Sequence, residues 1–165
     1  MKISAIIDYT ATPHDVFVML ADEEFQNRKC KATGAVQHTV SITTRGDRTI
    51  IVTTRHLPSD RFPHFVKSMV GATLNVTETQ DWGPSGADGV RHGTLTVEIH
   101  GAPVHLHGTL SLAPGGPGSV ETIESDLKAR IPFLGGKVEE AAAPAIQSAF
   151  RIEGETGAVW LAKRN

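Results

Sequence analysis

The sequence predicts an α+β fold: a curved antiparallel sheet of about seven strands wrapped around a long C-terminal helix, with two short helices after strand 1. Three observations lead there. The order reads strand, two helices, a run of six strands, then one long helix. The connections between strands are mostly short or loop-like, which favours antiparallel pairing. A sheet with one apolar face needs a cover, and only the last helix is large enough to supply it. The 165 residues suit a single domain, 1–165, with one core.

Residues 2–9 alternate, with Ile3, Ala5, Ile7 and Tyr9 on one side, and read as a strand. Thr12 and Pro13 open a helix as cap and first residue, and Val16, Phe17, Met19 and Leu20 give it an apolar side. Asp22 caps a second short helix to Lys31, which Gly34 ends. Strands follow at 35–44, 48–56, 72–82, 90–100, 104–112 and 120–131. The glycine-rich stretches 83–89 and 114–118 are loops, as is the turn Gly46-Asp47. By alternation His38 shares a face with Val40 and Ile42, and Thr54 and His56 share one with Ile50 and Val52. Glu78 follows Leu74 and Val76, Ser125 lies between Ile123 and Leu127, and Arg91 precedes Leu95.

Residues 132–163 read as one amphipathic helix. Leu134, Val138, Ala141, Ala145, Ala149, Ile152, Thr156 and Val159 recur at steps of three and four, with Ala142 and Trp160 flanking. Alanines at the centre of such a stripe mean close packing on a sheet or a roofed cavity. Pro144, on the polar side, is expected to bend the helix. Between the third and fourth strands, residues 57–71 carry Phe62, Phe65, Val66 and Met69 at helical spacing. A long apolar connection of this kind is expected to act as a lid.

The opening SAIIDYTATPHDVFVMLADEEF and the closing LKARIPFLGGKVEEAAAPAIQSAF resemble the ends of the START-like, or helix-grip, superfamily. That superfamily holds lipid-transfer domains, plant pathogenesis-related proteins and polyketide cyclases. The resemblance covers essentially the whole chain and is closest to an uncharacterised bacterial branch. It implies a hydrophobic ligand in a cavity between sheet and helix, but no single activity.

Composition narrows the function classes. Net charge is -2 with no basic block, so nucleic acid is not an expected partner. Arg28, Lys29 and Lys31 read as a solvated helix end. No apolar run could span a bilayer and no secretory signal opens the chain, so integral membrane association is not expected and a cytoplasmic location is. The one cysteine, Cys30, reads as a free thiol without a partner base. No nucleophile elbow, phosphate loop or dinucleotide fingerprint occurs, and no cofactor is expected.

The densest polar group is Glu98, His100, His105 and His107. A two-residue turn at Ala102-Pro103 would place His100 opposite His105 and Glu98 opposite His107, a set able to bind zinc or copper. Leu95, Val97 and Leu106 take the other face, so the histidines are expected in solvent and no metal site is assigned.

The leading expectation is a binder or transporter of a hydrophobic small molecule: a lipid, an isoprenoid or a polyketide-like compound. Its cavity would be lined by Leu74, Val76, Val97 and Leu110 from the sheet and Val138, Ala142, Ala145, Ala149 and Ile152 from the helix. Phe62, Phe65 and Met69 would form the gate. One alternative is a cyclase- or dehydratase-type enzyme using His38, His56 or Glu78 as acid–base. Another is a protein-interaction module using the same apolar groove.

Overall fold

The computed structural model describes residues 1–164. Along the chain lie β1 (Lys2–Tyr9), α1 (Pro13–Leu20), α2 (Glu23–Ala32), β2 (Gln37–Arg45), β3 (Arg48–Pro58), α3 (His64–Val70), β4 (Thr73–Ser85), β5 (Arg91–Ile99), β6 (Val104–Gly115), β7 (Gly118–Ala129) and α4 (Gly135–Ala162). The seven strands form one antiparallel sheet in the order β1-β7-β6-β5-β4-β3-β2. Every neighbour but one is also the next strand in sequence; β1 closes against β7 at the far edge. The α1–α2 excursion carries the chain from one edge of the sheet to the other. The helix-grip arrangement that the sequence predicts is the one observed.

The caps follow from the sequence. Thr12 Oγ1 accepts the Asp15 N–H, and Asp22 Oδ1 accepts those of Glu24 and Phe25, satisfying donors that a helix start leaves free. Ile3, Leu95, Leu106, Leu110, Ile123 and Leu127 fill the inner face of the sheet. Helix α4 lies over this face, its backbone closest to β1, β7 and α2. Glycines permit that approach: a Cβ on Gly157 would sit 2.7 Å from Tyr9 Cε1, and one on Gly154 2.9 Å from Ile7 Cγ2.

Three expectations are corrected. The buried side of α4 is Val138, Ala142, Phe150, Glu153, Gly157, Trp160 and Leu161, so the helix is rotated by about one residue from the alanine-centred stripe. Ala145 and Val159 are exposed, and Ala149 and Ile152 are half-buried. The rotation has a cause: Glu153 carries the buried side, and a charged residue there hides it from any apolar pattern. In β3 the inner residues are Ile51, Thr53 and Arg55, opposite Gln80, Glu78 and Val76, so Thr54 and His56 face outward. Ile50, Ile51 and Val52 are all apolar, so alternation alone could not decide the face. The β5–β6 turn spans residues 100–103 with Gly101 at φ 82°. Glu98 therefore pairs with His105 and Thr96 with His107, and His100 Nε2 meets Thr77 Oγ1 at 2.7 Å. Among the described residues no cluster of His, Cys, Asp and Glu could hold a metal.

Helix α4 runs unbroken past Pro144, which is exposed, so its missing N–H falls on the solvent side. The contrast between two of its glycines is testable by urea denaturation. Gly157→Val should cost about 2–3 kcal/mol, because the added carbons strike Tyr9 and Met19. Gly136→Ala, with nothing within 4 Å, should gain about 0.5–1 kcal/mol from helix propensity. Equal responses would show that α4 does not rest on β1 at Gly157.

Candidate functional site

The space between sheet and α4 is divided into a charged half and an apolar half. The charged half begins with Lys29. Phe25, Gln26, Lys29 and Cys30 share the buried face of α2, so the lysine points inward rather than into solvent as its basic neighbours suggest. Its Nζ lies 3.0 Å from Glu78 Oε1 on β4 and 2.8 Å from Glu153 Oε2 on α4. Arg55 Nη2 from β3 meets Glu78 Oε2 at 3.2 Å. Gln80 Nε2 donates to Glu78 Oε1 and more weakly to Glu153 Oε2, and Gln80 Oε1 accepts the Trp82 indole N–H at 2.9 Å.

Burial alone would raise the Glu78 carboxyl, but the Lys29 ammonium and the Arg55 guanidinium outweigh it and hold its pKa down to about 2. Burial likewise works against the Lys29 charge, and the Glu153 and Glu78 carboxylates overcome it, raising the lysine above its ordinary value. Glu121 on β7 behaves oppositely. Burial first, then the Glu153 charge, push its pKa well above the usual carboxylate range. Tyr9 Oη donates to Glu121 Oε2 at 3.3 Å, while Glu121 Oε1 and Glu153 Oε1 are both buried without a partner. A proton on Glu121 donated to Glu153 satisfies both.

The apolar half lies at the opposite end of the sheet, under α3. Ser59 Oγ donates to Gly71 O at 2.6 Å and Ser59 N–H to Ala72 O at 2.9 Å, which pins the base of the α3 excursion. A cavity of about 20 Å³ remains beneath it. Phe62, Val66, Met69 and Val70 form its roof, Leu74, Ile99, Ala102 and Val104 its sheet side, and Val138 and Ala142 of α4 its wall. Every lining side chain is apolar.

The structure brings five of the expected ligand-binding residues to this cavity: Phe62, Met69, Leu74, Val138 and Ala142. Phe65 and Val97 pack half-buried against the core, and Val76 and Leu110 are buried within the sheet face. Ala145, Ala149 and Ile152 lie away from the cavity wall. The three acid–base candidates do not converge. His38 Nε2 is 2.9 Å from Asn27 Oδ1, His56 faces outward, and Glu78 is bonded through both oxygens within the ion cluster. Ser125 Oγ donates to Ile3 O, and Arg91 stacks over the Phe17 ring 3.7 Å from its centroid.

Sequence reasoning missed Lys29, Arg55, Gln80, Glu121 and Glu153. A signal existed for one of them: Lys29 falls four residues after Phe25, on the same side of α2.

Residues 4–161 match the family described as "Protein of unknown function (DUF2505)", and the chain belongs to that family. An uncharacterized protein of Mycobacterium tuberculosis H37Rv is 32% identical over 117 residues, which is 67% of this chain and 64% of that protein. The matched region thus spans less than two thirds of that relative. Among solved structures, the protein TTHA0849 from Thermus thermophilus superposes with a TM-score of 0.58 at 16% identity, over 100% of this chain and 99% of that one. The di-domain ARO/CYC StfQ from the steffimycin biosynthetic pathway gives 0.65 at 8% identity, over 99% of this chain and 51% of that one. Human STARD10 gives 0.59 at 11% identity, over 94% and 62%. These likenesses establish the START-like fold.

The cluster sets how stability varies with pH. Glu121 holds its proton more tightly folded than unfolded, so stability falls as pH rises from its ordinary value of 4.5 toward the raised one. Glu78 does the reverse: stability falls as pH drops from 4.5 toward about 2. Glu121→Gln should therefore shrink the loss in urea midpoint as pH rises above the ordinary carboxylate value of 4.5, leaving the acid side unchanged. An identical loss in the variant would show that Glu121 is ionised in the native protein. Lys29→Met, which leaves Glu153 without a cation and Glu78 with Arg55 alone, should cost about 3–5 kcal/mol in the same assay.

Proposed function

We propose that the protein binds or carries a hydrophobic small molecule in the apolar pocket between α3 and α4, as a non-catalytic binder. The observation that supports this is the composition of the pocket. Its ten lining residues are all apolar, in an interior whose other half is charged. Charged residues at one end and none at the other suit a ligand without charge in its bound part.

A cavity of about 20 Å³ has room for about one water, so a ligand enters by displacing the roof. Helix α3 is built for that. Only Val66 of its residues is buried; Phe65 and Met69, and Phe62 before it, are half-buried. Gly71 at φ 82° and Pro63 bound it, and no strand ladder holds it. Phe62, Phe65 and Met69 then serve as the gate, giving way to the ligand's own apolar surface. Lipids, isoprenoids and polyketide-like molecules fit this description, and a fold shared with an ARO/CYC protein keeps the last in view. A cytoplasmic location belongs to the same proposal, consistent with Cys30 as a buried free thiol.

Native mass spectrometry with solvent extraction of the purified protein, followed by titration with the apolar fluorophore N-phenyl-1-naphthylamine, tests the reading. Ala142→Phe, which places a ring in the cavity wall, should weaken fluorophore binding about tenfold or more while folding is retained. Hydrogen exchange across residues 60–71 should slow when the fluorophore is bound. No co-purifying apolar molecule and no saturable fluorophore binding would remove the proposal.

A further inference from the structure

The loop between β7 and α4 reads Ile131-Pro132-Phe133-Leu134. Phe133 is the one described non-glycine residue with positive φ, at 66°, and its side chain is fully exposed at 104%. A bulky residue rarely adopts this conformation, which costs conformational energy that glycine or asparagine would avoid. Here the strain supports no core contact. It holds an aromatic ring out in water, beside Leu134, which is also exposed. Strain that does not serve packing points to a contact outside the chain.

The surroundings say what kind. Arg130 precedes Phe133 by three residues and Lys137 follows it by four; both are exposed. Among the described residues neither has a carboxylate within 4.0 Å. Lys128, also exposed, is already paired with Asp126 Oδ2 at 3.8 Å, and Glu140 is the exposed acid of the first turns of α4. The Arg130 N–H donates to Pro103 O at 2.9 Å, which ties the loop to the β5–β6 turn. That turn contributes Ala102 to the apolar pocket, and α4 contributes Val138 one turn beyond Leu134. The other large exposed apolar residues, Ile6, Val18, Val36 and Val159, lie on other elements, so no broad protein-docking patch forms.

We propose that the Phe133–Leu134 loop is a membrane-surface anchor, inserting its two apolar side chains into the interface of an anionic bilayer while the unpaired Arg130 and Lys137 meet the headgroups. Two apolar side chains with a few cations give weak, reversible attachment. The loop's tie to the β5–β6 turn and its place one turn before Val138 would turn the pocket end of the molecule toward the lipid. The anchor does not depend on the ligand-binding reading, and its test uses no pocket ligand.

Co-sedimentation with vesicles decides it. The protein should bind phosphatidylcholine vesicles containing phosphatidylglycerol at about one part in three, and should release as salt is raised. The Phe133→Gly, Leu134→Ser double variant should lose about tenfold in partition coefficient. Arg130→Gln with Lys137→Gln should lose binding to the anionic vesicles only. Phe133→Gly alone relieves the strained backbone, so its Tm should stay level or rise by about 2 °C. Absence of vesicle binding by the parent protein, or equal binding by the double variant, would overturn the anchor. So would a dimer in light scattering that Phe133→Gly abolishes, since the loop would then be an interface between copies.

Discussion

The Lys29 ammonium is the constraint around which the molecule is arranged. A lysine that is 3% exposed cannot remain charged without close partners, and it takes them from β4 and α4 at once. Arg55 balances the second Glu78 oxygen from β3. Four elements separated in sequence are therefore joined at one point by groups with strict distance requirements. Such a cluster adds little net stability over a well-packed apolar core, because desolvation offsets much of the attraction. It excludes alternatives instead. Rotating α4 by one residue would take Glu153 from Lys29 and leave a buried charge unpaired. The close contacts of Gly154 and Gly157 with β1 follow from the same demand, since the helix must come down onto the sheet where Glu153 reaches inward.

Strand β4 carries the division of the interior along its length. Its inner residues run Leu74, Val76, Glu78, Gln80, Trp82. The change from apolar to ionic falls between Val76 and Glu78, and across the sheet those residues pair with Ile99 and Val97. The apolar pocket thus lies at the Leu74 end of the strand and the ion cluster toward the other.

The elements and their order were legible because they rest on local signals: the Thr12 and Asp22 caps, the β-branched runs, and the glycine-rich loops. Strand faces were legible wherever apolar and polar residues alternate, as in β1, β4 and β6. They were not legible in β3, where Ile50-Ile51-Val52 offers no contrast and the deciding residue, Arg55, is polar and buried. Helix α4 failed for the same reason at Glu153. A hydrophobic pattern records which residues avoid water, and it misreads every position where burial is enabled by a partner distant in sequence. Lys29, Arg55, Glu121 and Glu153 are all such positions. The pocket was partly legible: Phe62 and Met69 follow from the spacing in residues 57–71, but of the expected sheet side only Leu74 lines it, and which alanine faces it depends on the rotation that the ion cluster sets.

The same logic accounts for the contrast between the two halves of α4. Its C-terminal half is bound by specific contacts: Glu153 to Lys29, Gly157 on Tyr9, and Trp160 edge-on to Phe25 at 5.7 Å between ring centroids. Its N-terminal half offers Val138 and Ala142 to a small void and to a roof, α3, that is only partly buried. Apolar contacts are non-directional and tolerate exchange of one apolar surface for another, whereas a buried ion pair tolerates no substitute. Rearrangement is therefore easiest where the interior is apolar and the backbone is least anchored. Both conditions meet at the pocket end, so a fold locked by charge at one end can yield at the other without losing its register.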